Sequence, residues 1–288
     1  MKRIAIQGGA GSYHEIAAQA YFSEEKIEIV PCETFKELFK EMGSNDDLLG
    51  VIAIENTIAG SLLQNHNLLR ESGCLIIGEY KLRISHQFAA LPGQKIEDIK
   101  EVHSHPIALM QCEDFLDNNK NIMAVESDDT ATSAKEIAEK KIMSRAAICS
   151  RSAAEKYGLN ILEEGIETNK RNFTRFLIIA NPDLAYKMNR GMELNKSTIV
   201  FTLPHEEGSL SKVLTILSFY NINLTKIQSL PIIGREWEYQ FYVALTFSNY
   251  ERYRQGLEAI KPLTREFKNL GEYREAKTPA PNPRRGNS

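Results

Sequence analysis

From Arg3 onward, short apolar runs alternate with windows in which apolar residues return every three or four positions, the pattern of a sheet layered with helices. It predicts strands at Arg3–Ile6, Ile27–Val30 and Gly50–Ile54, and helices at Ser12–Phe22, Thr34–Met42 and Ser61–Glu71, the last stopping near Gly73. A long strand region follows over Leu75–Leu91. Beyond it come a strand near Val102, a helix opening at Pro106, a strand at Met123–Val125, a helix at Thr130–Lys140 and a strand at Ala146–Cys149. Pro106 suits a first helical turn, where its missing N–H would have no partner anyway. A short helix at Ser152–Tyr157, closed by Gly158, and an apolar strand at Phe173–Ala180 complete an α/β domain assigned to residues 1–181.

Composition turns polar at Asn181-Pro182-Asp183 and stays so through Lys196, which reads as a linker over residues 182–197. A second domain is assigned to residues 198–275. Its order is strand (Thr198–Leu203), helix (Ser209–Tyr220), strand (Ile222–Leu230), strand (Glu238–Phe247), helix (Tyr250–Ile260) and a last strand approaching Gly271. That βαββαβ order reads as a ferredoxin-like sandwich. Residues 276–288 have proline and arginine without apolar periodicity and read as a disordered tail.

With 288 residues, 42% of them hydrophobic and 25% charged, the chain has enough apolar surface for two cores. Lys plus Arg number 35 against 38 Asp plus Glu, so the formal net charge is -3 and a nucleic-acid partner is not expected. The longest apolar stretch, Leu48–Ile54, is far short of the ~20 residues that span a bilayer, and no signal-peptide core follows Met1-Lys2-Arg3. No membrane partner is expected, and a cytoplasmic location is. Cys32, Cys74, Cys112 and Cys149 are scattered without a C-x-x-C pair and read as reduced, mostly buried thiols. The histidines lack metal-ligand spacing, so no metal site is assigned.

Candidate chemistry lies at the ends of the strands, where open α/β sheets bind ligands. Gln7-Gly8-Gly9-Ala10-Gly11-Ser12 joins a strand to a helix, but His14 stands where a dinucleotide fingerprint needs its third glycine. A small anion on the helix start fits better than a nucleotide. Three polar clusters follow apolar strands: Glu55-Asn56-Thr57 through Gly60-Ser61, Ser104-His105-Pro106 through Gln111-Cys112, and Arg171-Asn172-Phe173-Thr174-Arg175-Phe176.

In that order, and over nearly the whole chain, these clusters resemble the prephenate dehydratase family: its Glu-Asn-Ser/Thr-x-x-Gly-Ser, Ser-His-Pro…Gln-Cys and Thr-Arg-Phe segments. Downstream, Gly208-Ser209-Leu210 and Asn223-Leu224 through Gln228-Ser229-Leu230-Pro231 resemble the two ligand motifs of the ACT regulatory domain. The resemblance implies a two-lobed, periplasmic-binding-protein-like (type II) catalytic domain, a cleft between its lobes, and a cofactor-free conversion of prephenate to phenylpyruvate, water and carbon dioxide. It implies catalytic roles for Thr174, Asn56, Gln111 and Glu55, and substrate contacts for Arg175, Ser104, Ser61, Thr130 and Phe176. Arogenate dehydration is the alternative activity, and a non-catalytic amino-acid sensor a more distant one. No chorismate-mutase-like stretch precedes Arg3, so a single activity is expected.

The implied chemistry suits those side chains. Arg175 would grip a substrate carboxylate in a bidentate fork, and the helix starts near Ser12, Ser61 and Pro106 would offer N–H groups to the other. Thr174 would stabilise the departing hydroxide by hydrogen bonding, being too weak an acid to serve as a full proton source. Glu55 or a water would carry any proton needed; the sequence leaves both open. The second domain would bind L-phenylalanine through Gly208, Ser209, Leu210, Asn223, Leu224, Gln228, Ser229, Leu230 and Pro231, as a feedback inhibitor. The usual charged residues of that second motif are replaced here by Gln228 and Leu230. Exposed sheet edges in this domain need cover, and the resemblance to ACT domains, which pair side by side, implies a homodimer or homotetramer.

Overall fold

The computed structural model describes residues 1–232, 234 and 238–276. The expected tail, past Ala276, lies outside the described residues. The first lobe is β1 (Lys2–Gln7), α1 (Tyr13–Tyr21), β2 (Ile27–Cys32), α2 (Phe35–Ser44), β3 (Leu48–Asn56), β4 (Gly60–Ser61), α3 (Leu63–Ser72) and β5 (Leu75–Arg83). The second lobe is β6 (Gln87–Ala90), β7 (Glu101–Ser104), α4 (Pro106–Gln111), α5 (Glu113–Asn118), β8 (Met123–Glu126), α6 (Thr130–Lys140), β9 (Arg145–Cys149), α7 (Arg151–Lys156) and β10 (Asn160–Glu164). The chain then returns as β11 (Phe173–Ala180) and α8 (Pro182–Asn189) to finish the first sheet, ordered β2-β1-β3-β11-β5 with β4 beside β3. The second sheet is ordered β10-β6-β9-β7-β8. The chain thus crosses between lobes twice, at residues 84–86 and 165–172, and the two-lobed α/β architecture expected from the sequence is present.

The C-terminal domain is β12 (Lys196–Thr202), α9 (Ser209–Phe219), β13 (Asn223–Pro231), β14 (Tyr239–Thr246), α10 (Tyr250–Ile260) and β15 (Glu266–Tyr273). Its antiparallel sheet runs β13-β14-β12-β15, which is the expected βαββαβ sandwich. Helix starts follow local chemistry: Ser12, Thr34, Asp129 and Asn249 each cap the helix after them by accepting a first-turn N–H.

Both faces of the first sheet are buried, by alternating residues of the same strands. On one face Ile4, Ile6, Val51, Phe176 and Ile178 pack with α1 and α8. On the other, Ile52, Leu177 and Ile179 share a core with Val200, Leu230, Tyr242, Leu270 and Tyr273 of the C-terminal domain. The domains meet closely: Gly271 has φ +144°, and a Cβ there would fall 2.3 Å from the Ile76 carbonyl oxygen.

Several boundaries differ from expectation. The Leu75–Leu91 region breaks at residues 84–86 into strands of two different sheets. The presumed linker is largely structured: Pro182–Asn189 forms α8, whose Leu184, Ala185 and Met188 pack on the first sheet, and Lys196 opens β12. The helix expected from Ser61 begins at Leu63, since Ser61 pairs with Glu55 in β4. Strand β10 carried no sequence signal. All four cysteines are free and buried. No helix among the described residues is long and apolar enough to cross a membrane, and no His/Cys/Asp/Glu cluster among them could hold a metal ion.

Candidate active site

Strands β3 and β11 run antiparallel, and their register fixes what faces the cleft. Thr174 pairs with Asn56 and Arg175 with Glu55, but Phe176 pairs with Ala53, so Ile54 is the extra residue of a β-bulge. Without the bulge, alternation would keep Glu55 on the Ala53 side. With it, Asn56, Thr174 and Phe176 line the interlobe cavity, while Glu55 and Arg175 turn to the rear, toward the C-terminal domain.

The cavity, about 260 Å³, lies between the lobes. Asn56, Thr174, Phe176, His14 and Phe35 come from the first lobe, and Gln111, His105, Asp129 and Thr130 from the second. Gln111 Nε2 donates to Asn56 Oδ1 (3.2 Å), and Asn56 Nδ2 donates to Thr174 Oγ1 (3.0 Å) and Asn172 Oδ1 (2.7 Å). Asn172 Nδ2 donates to Gln111 Oε1 (2.8 Å), closing a ring of three amides. Tyr13 hydrogen-bonds His86 Nδ1 (3.0 Å), and His86 Nε2 lies 2.9 Å from Gln111 Oε1. The lobes touch tightly here: a Cβ on Gly11, at φ +84°, would lie 2.5 Å from the Ala153 Cα.

Two helices begin at this cavity. In α1 the Ser12 hydroxyl takes the Glu15 N–H, which leaves the N–H groups of Tyr13 and His14 as the unfilled donors of the first turn. In α6 one Asp129 oxygen takes the N–H groups of Ala131 and Thr132, leaving that of Thr130. Both ends favour an anion. The helix at Pro106 offers less than expected, since its Ile107 N–H is taken by His105 Nδ1.

The histidines of the cavity are neutral groups. Burial between the Phe35 and Phe176 rings pushes His14 down to about 3, and its Nε2 accepts the Ala53 N–H. Burial likewise lowers His86, against the opposing pull of Gln111 and Glu167, and lowers His105 against the carboxylates of Asp129, Asp128 and Glu126.

Of the residues named from sequence, Thr174, Asn56, Gln111, Thr130 and Phe176 meet at the cavity. Glu55, Arg175, Ser61 and Ser104 do not line it. Three of the five Arg175 N–H groups are engaged: Nε donates to Glu79 Oε2 (2.7 Å), Nη1 to Glu55 Oε1 (3.1 Å) and Nη2 to the Tyr273 hydroxyl (3.0 Å), and the residue lines a neighbouring cavity with Glu55, Asn56, Ser61 and Thr174. Lys226 of the C-terminal domain pairs with Glu55 and donates to the Ser61 hydroxyl (2.7 Å). Lys196 joins Glu79 (2.9 Å) to Glu275 (3.3 Å). Ser104 donates to the Ile148 carbonyl (2.6 Å), tying β7 to β9. Sequence reasoning passed over Tyr13, His14, Phe35, His86, Asp129 and Asn172. Asn172 lies inside the Arg171–Phe176 cluster, and His86 lies where the Leu75–Leu91 region breaks into two strands.

The family model described as prephenate dehydratase matches residues 4–184, which contain the whole cleft. The chain belongs to the prephenate dehydratase family. Named members are lyases, and among the relatives is arogenate dehydratase/prephenate dehydratase 2 of Arabidopsis thaliana, 36% identical over 281 residues, covering 94% of this chain and 72% of that one. Another, arogenate dehydratase 2 of Petunia hybrida, is 39% identical over 80% of this chain, which spans 57% of its length. A solved prephenate dehydratase from Arthrobacter aurescens, in complex with L-Phe, superposes with TM-score 0.82 at 25% identity, covering 94% of this chain and 89% of that one.

Proposed function

We propose that the cleft catalyses decarboxylating dehydration of a prephenate-type cyclohexadiene. The bond from the ring to its carboxylate breaks, its electron pair completes the aromatic ring, and the hydroxyl on the opposite ring carbon departs as hydroxide, to be protonated to water. The observation that carries this is the meeting of Thr174, Asn56 and Gln111, from three separate motifs and both lobes, in one hydrogen-bonded cluster at the cavity wall. Thr174 is the donor to the departing oxygen, and Asn56 and Gln111 hold it. A substrate carboxylate is held by the free N–H groups opening α1 and α6, in the place the resemblance assigned to Arg175.

One observation favours the aminated substrate, arogenate, over prephenate. None of the described residues lining the cavity is Lys or Arg, whereas Asp129 lines it. Both substrates carry the ring and side-chain carboxylates; prephenate adds only a neutral ketone, whereas arogenate adds an ammonium group that can be set against Asp129. Relatives called arogenate dehydratase alone support the same reading. Purified protein given each substrate separately, with phenylpyruvate and phenylalanine quantified, tests both levels. Turnover of neither removes the dehydratase reading, and a higher kcat/KM for prephenate removes the arogenate preference.

The C-terminal domain is read as an ACT domain that binds phenylalanine, supported by its βαββαβ order and by the L-Phe complex of the Arthrobacter relative. Gly208, at φ +73°, ends the loop before α9, and Ser209 and Leu210 start that helix. Asn223, Leu224, Gln228, Ser229 and Pro231 lie on the edge strand β13, available for pairing with a second copy. Leu230 departs from this role, being buried in the core shared with the first domain. Calorimetry with phenylalanine on the full chain tests the assignment, and absence of binding removes it.

A further inference from the structure

We propose that His86 is a positioning residue: as its Nε2–H tautomer it fixes the direction of the amide ring and so leaves the Thr174 proton free for the cavity. The direction can be read donor by donor. The backbone N–H groups of Ile58 and Ala59 both point at Asn56 Oδ1 (2.9 Å each), so that atom is the oxygen and Asn56 Nδ2 faces Asn172 and Thr174. Asn172 must then present its oxygen to Asn56 and its nitrogen to Gln111. Gln111 in turn presents Nε2 to Asn56 and Oε1 to both Asn172 and His86. An acceptor facing His86 Nε2 requires a proton on that nitrogen.

The other ring nitrogen is then bare; the Tyr13 hydroxyl lies 3.0 Å from it and 2.9 Å from the Ser85 carbonyl, one proton facing two acceptors, so the amide chain and not this contact sets the tautomer. At the far end, Thr174 Oγ1 is an acceptor from Asn56, so its own proton is not used within the ring. The opposite tautomer would set a bare Nε2 against Gln111 Oε1. Relieving that contact by turning Gln111 would oppose it to Asn172, then Asn172 to Asn56, and finally Asn56 to two fixed backbone donors. Every member is buried, so each mismatch carries the full cost of an unpaired polar group.

His86 is also where the lobes are joined. Its N–H donates to Glu167 Oε2 (2.9 Å) and its carbonyl accepts from the Ile166 N–H (2.9 Å), so the two crossover segments are tied at this residue. Its ring bridges Tyr13 of the first lobe and Gln111 of the second.

The kinetic part of the test rests on the dehydratase reading. By analogy with the outer partners of metal ligands, whose loss typically costs tenfold to a hundredfold, His86→Leu is expected to lower kcat by roughly that factor with KM little changed. His86→Gln, which can offer an N–H to the same acceptor, recovers most of it. Nitrogen NMR of the labelled wild-type protein provides a reading independent of turnover, with a pyrrole-type Nε2 and a pyridine-type Nδ1 expected for His86. A protonated Nδ1 with bare Nε2 overturns the proposal, as does a folded His86→Leu protein with wild-type kcat. If wild type turns over neither prephenate nor arogenate, the dehydratase reading falls and the tautomer alone decides.

Discussion

One step along β11 separates two unlike environments. Thr174 faces the cavity among neutral amides, imidazoles and a phenol, whereas Arg175, its neighbour, faces the rear among Glu79, Glu55 and Tyr273. The rear network balances three cations, Arg175, Lys196 and Lys226, against three carboxylates, Glu55, Glu79 and Glu275. Burial alone would raise Glu79 and Glu55. The cations outweigh it and hold both below the usual carboxylate range. A cleft that must stabilise departing charge needs donors whose protons are unspent, and neutral groups linked head to tail supply one at the end. The rear face has the converse need, because buried charges are tolerable only when every one is matched.

The most severe way to break this contrast is to unbalance the rear. Arg175→Leu leaves Glu79, whose side chain is 0% exposed, with Lys196 as its single charged partner. Removing one member of a buried pair costs about 3–5 kcal/mol, so urea unfolding should register a loss of that size. Turnover of the fraction still folded should suffer far less. If stability is unchanged and KM rises steeply, the guanidinium belongs to the substrate after all.

Next in size is Thr174→Ala on the cleft face. By analogy with the loss of one oxyanion donor, kcat should fall by roughly two orders of magnitude, with the unfolding free energy nearly unchanged. Thr174→Ser, which keeps the hydroxyl, should retain much of the rate. Near-normal turnover by the alanine variant would remove Thr174 from the chemistry.

Each face also buries a histidine, which lets pH compare them. Burial pushes His14, on the cleft side, down to about 3. Burial, with Lys226 and Arg175 nearby, pushes His66, on the rear, to about 3 as well, although Glu55 opposes this. Below the ordinary value of 6.5 the unfolded chain takes up protons that the native protein refuses. Stability is therefore full above about pH 6.5 and falls as pH drops toward about 3, each histidine adding a slope of about 1.4 kcal/mol per pH unit. Unfolding curves of His14→Gln and His66→Gln should each lose one proton's share of that slope. Below the ordinary value of 4.5, Glu79 and Glu55 add a further loss, specific to the rear.

The contrast between faces was only partly visible in the sequence. Element order and the βαββαβ domain were legible because apolar period is a local signal, and strand-end polarity marked the three polar clusters; the choice of Thr174, Asn56 and Gln111 within them came from the family resemblance. The bulge at Ile54 was not legible, since a bulge is a property of pairing with a strand more than a hundred residues away, as the separation of 118 between Asn56 and Thr174 shows. It decides which of Glu55 and Asn56 enters the cleft. His86 was hidden for the same reason: its ring partners lie 73 and 25 residues away. Helix α8 could have been found, because Leu184, Ala185 and Met188 share one helical face, but Asn, Lys and Asp around them favoured a linker reading.

The mildest test concerns how the rear face speaks to the cleft. Lys226 lies on β13, the strand read as part of the phenylalanine site, and reaches across the domain boundary to Glu55 and Ser61. Glu55 is adjacent to Asn56, whose amide holds Thr174, so a shift of β13 has a direct covalent route to the cleft. The pair is partly open to solvent, with the Glu55 side chain 32% exposed, and pairs of that kind contribute about 1 kcal/mol or less. Lys226→Met should therefore change stability only slightly and leave the uninhibited rate near wild type. Its effect should fall on inhibition: phenylalanine binding measured by calorimetry should persist while the same occupancy suppresses turnover less. Coupling free energies between sites are typically 1–3 kcal/mol, so loss of one contact should weaken inhibition severalfold without abolishing it. Unaltered inhibition in a folded Lys226→Met protein would mean that the rear network serves stability alone, and that any signal reaches Thr174 by a route other than Glu55.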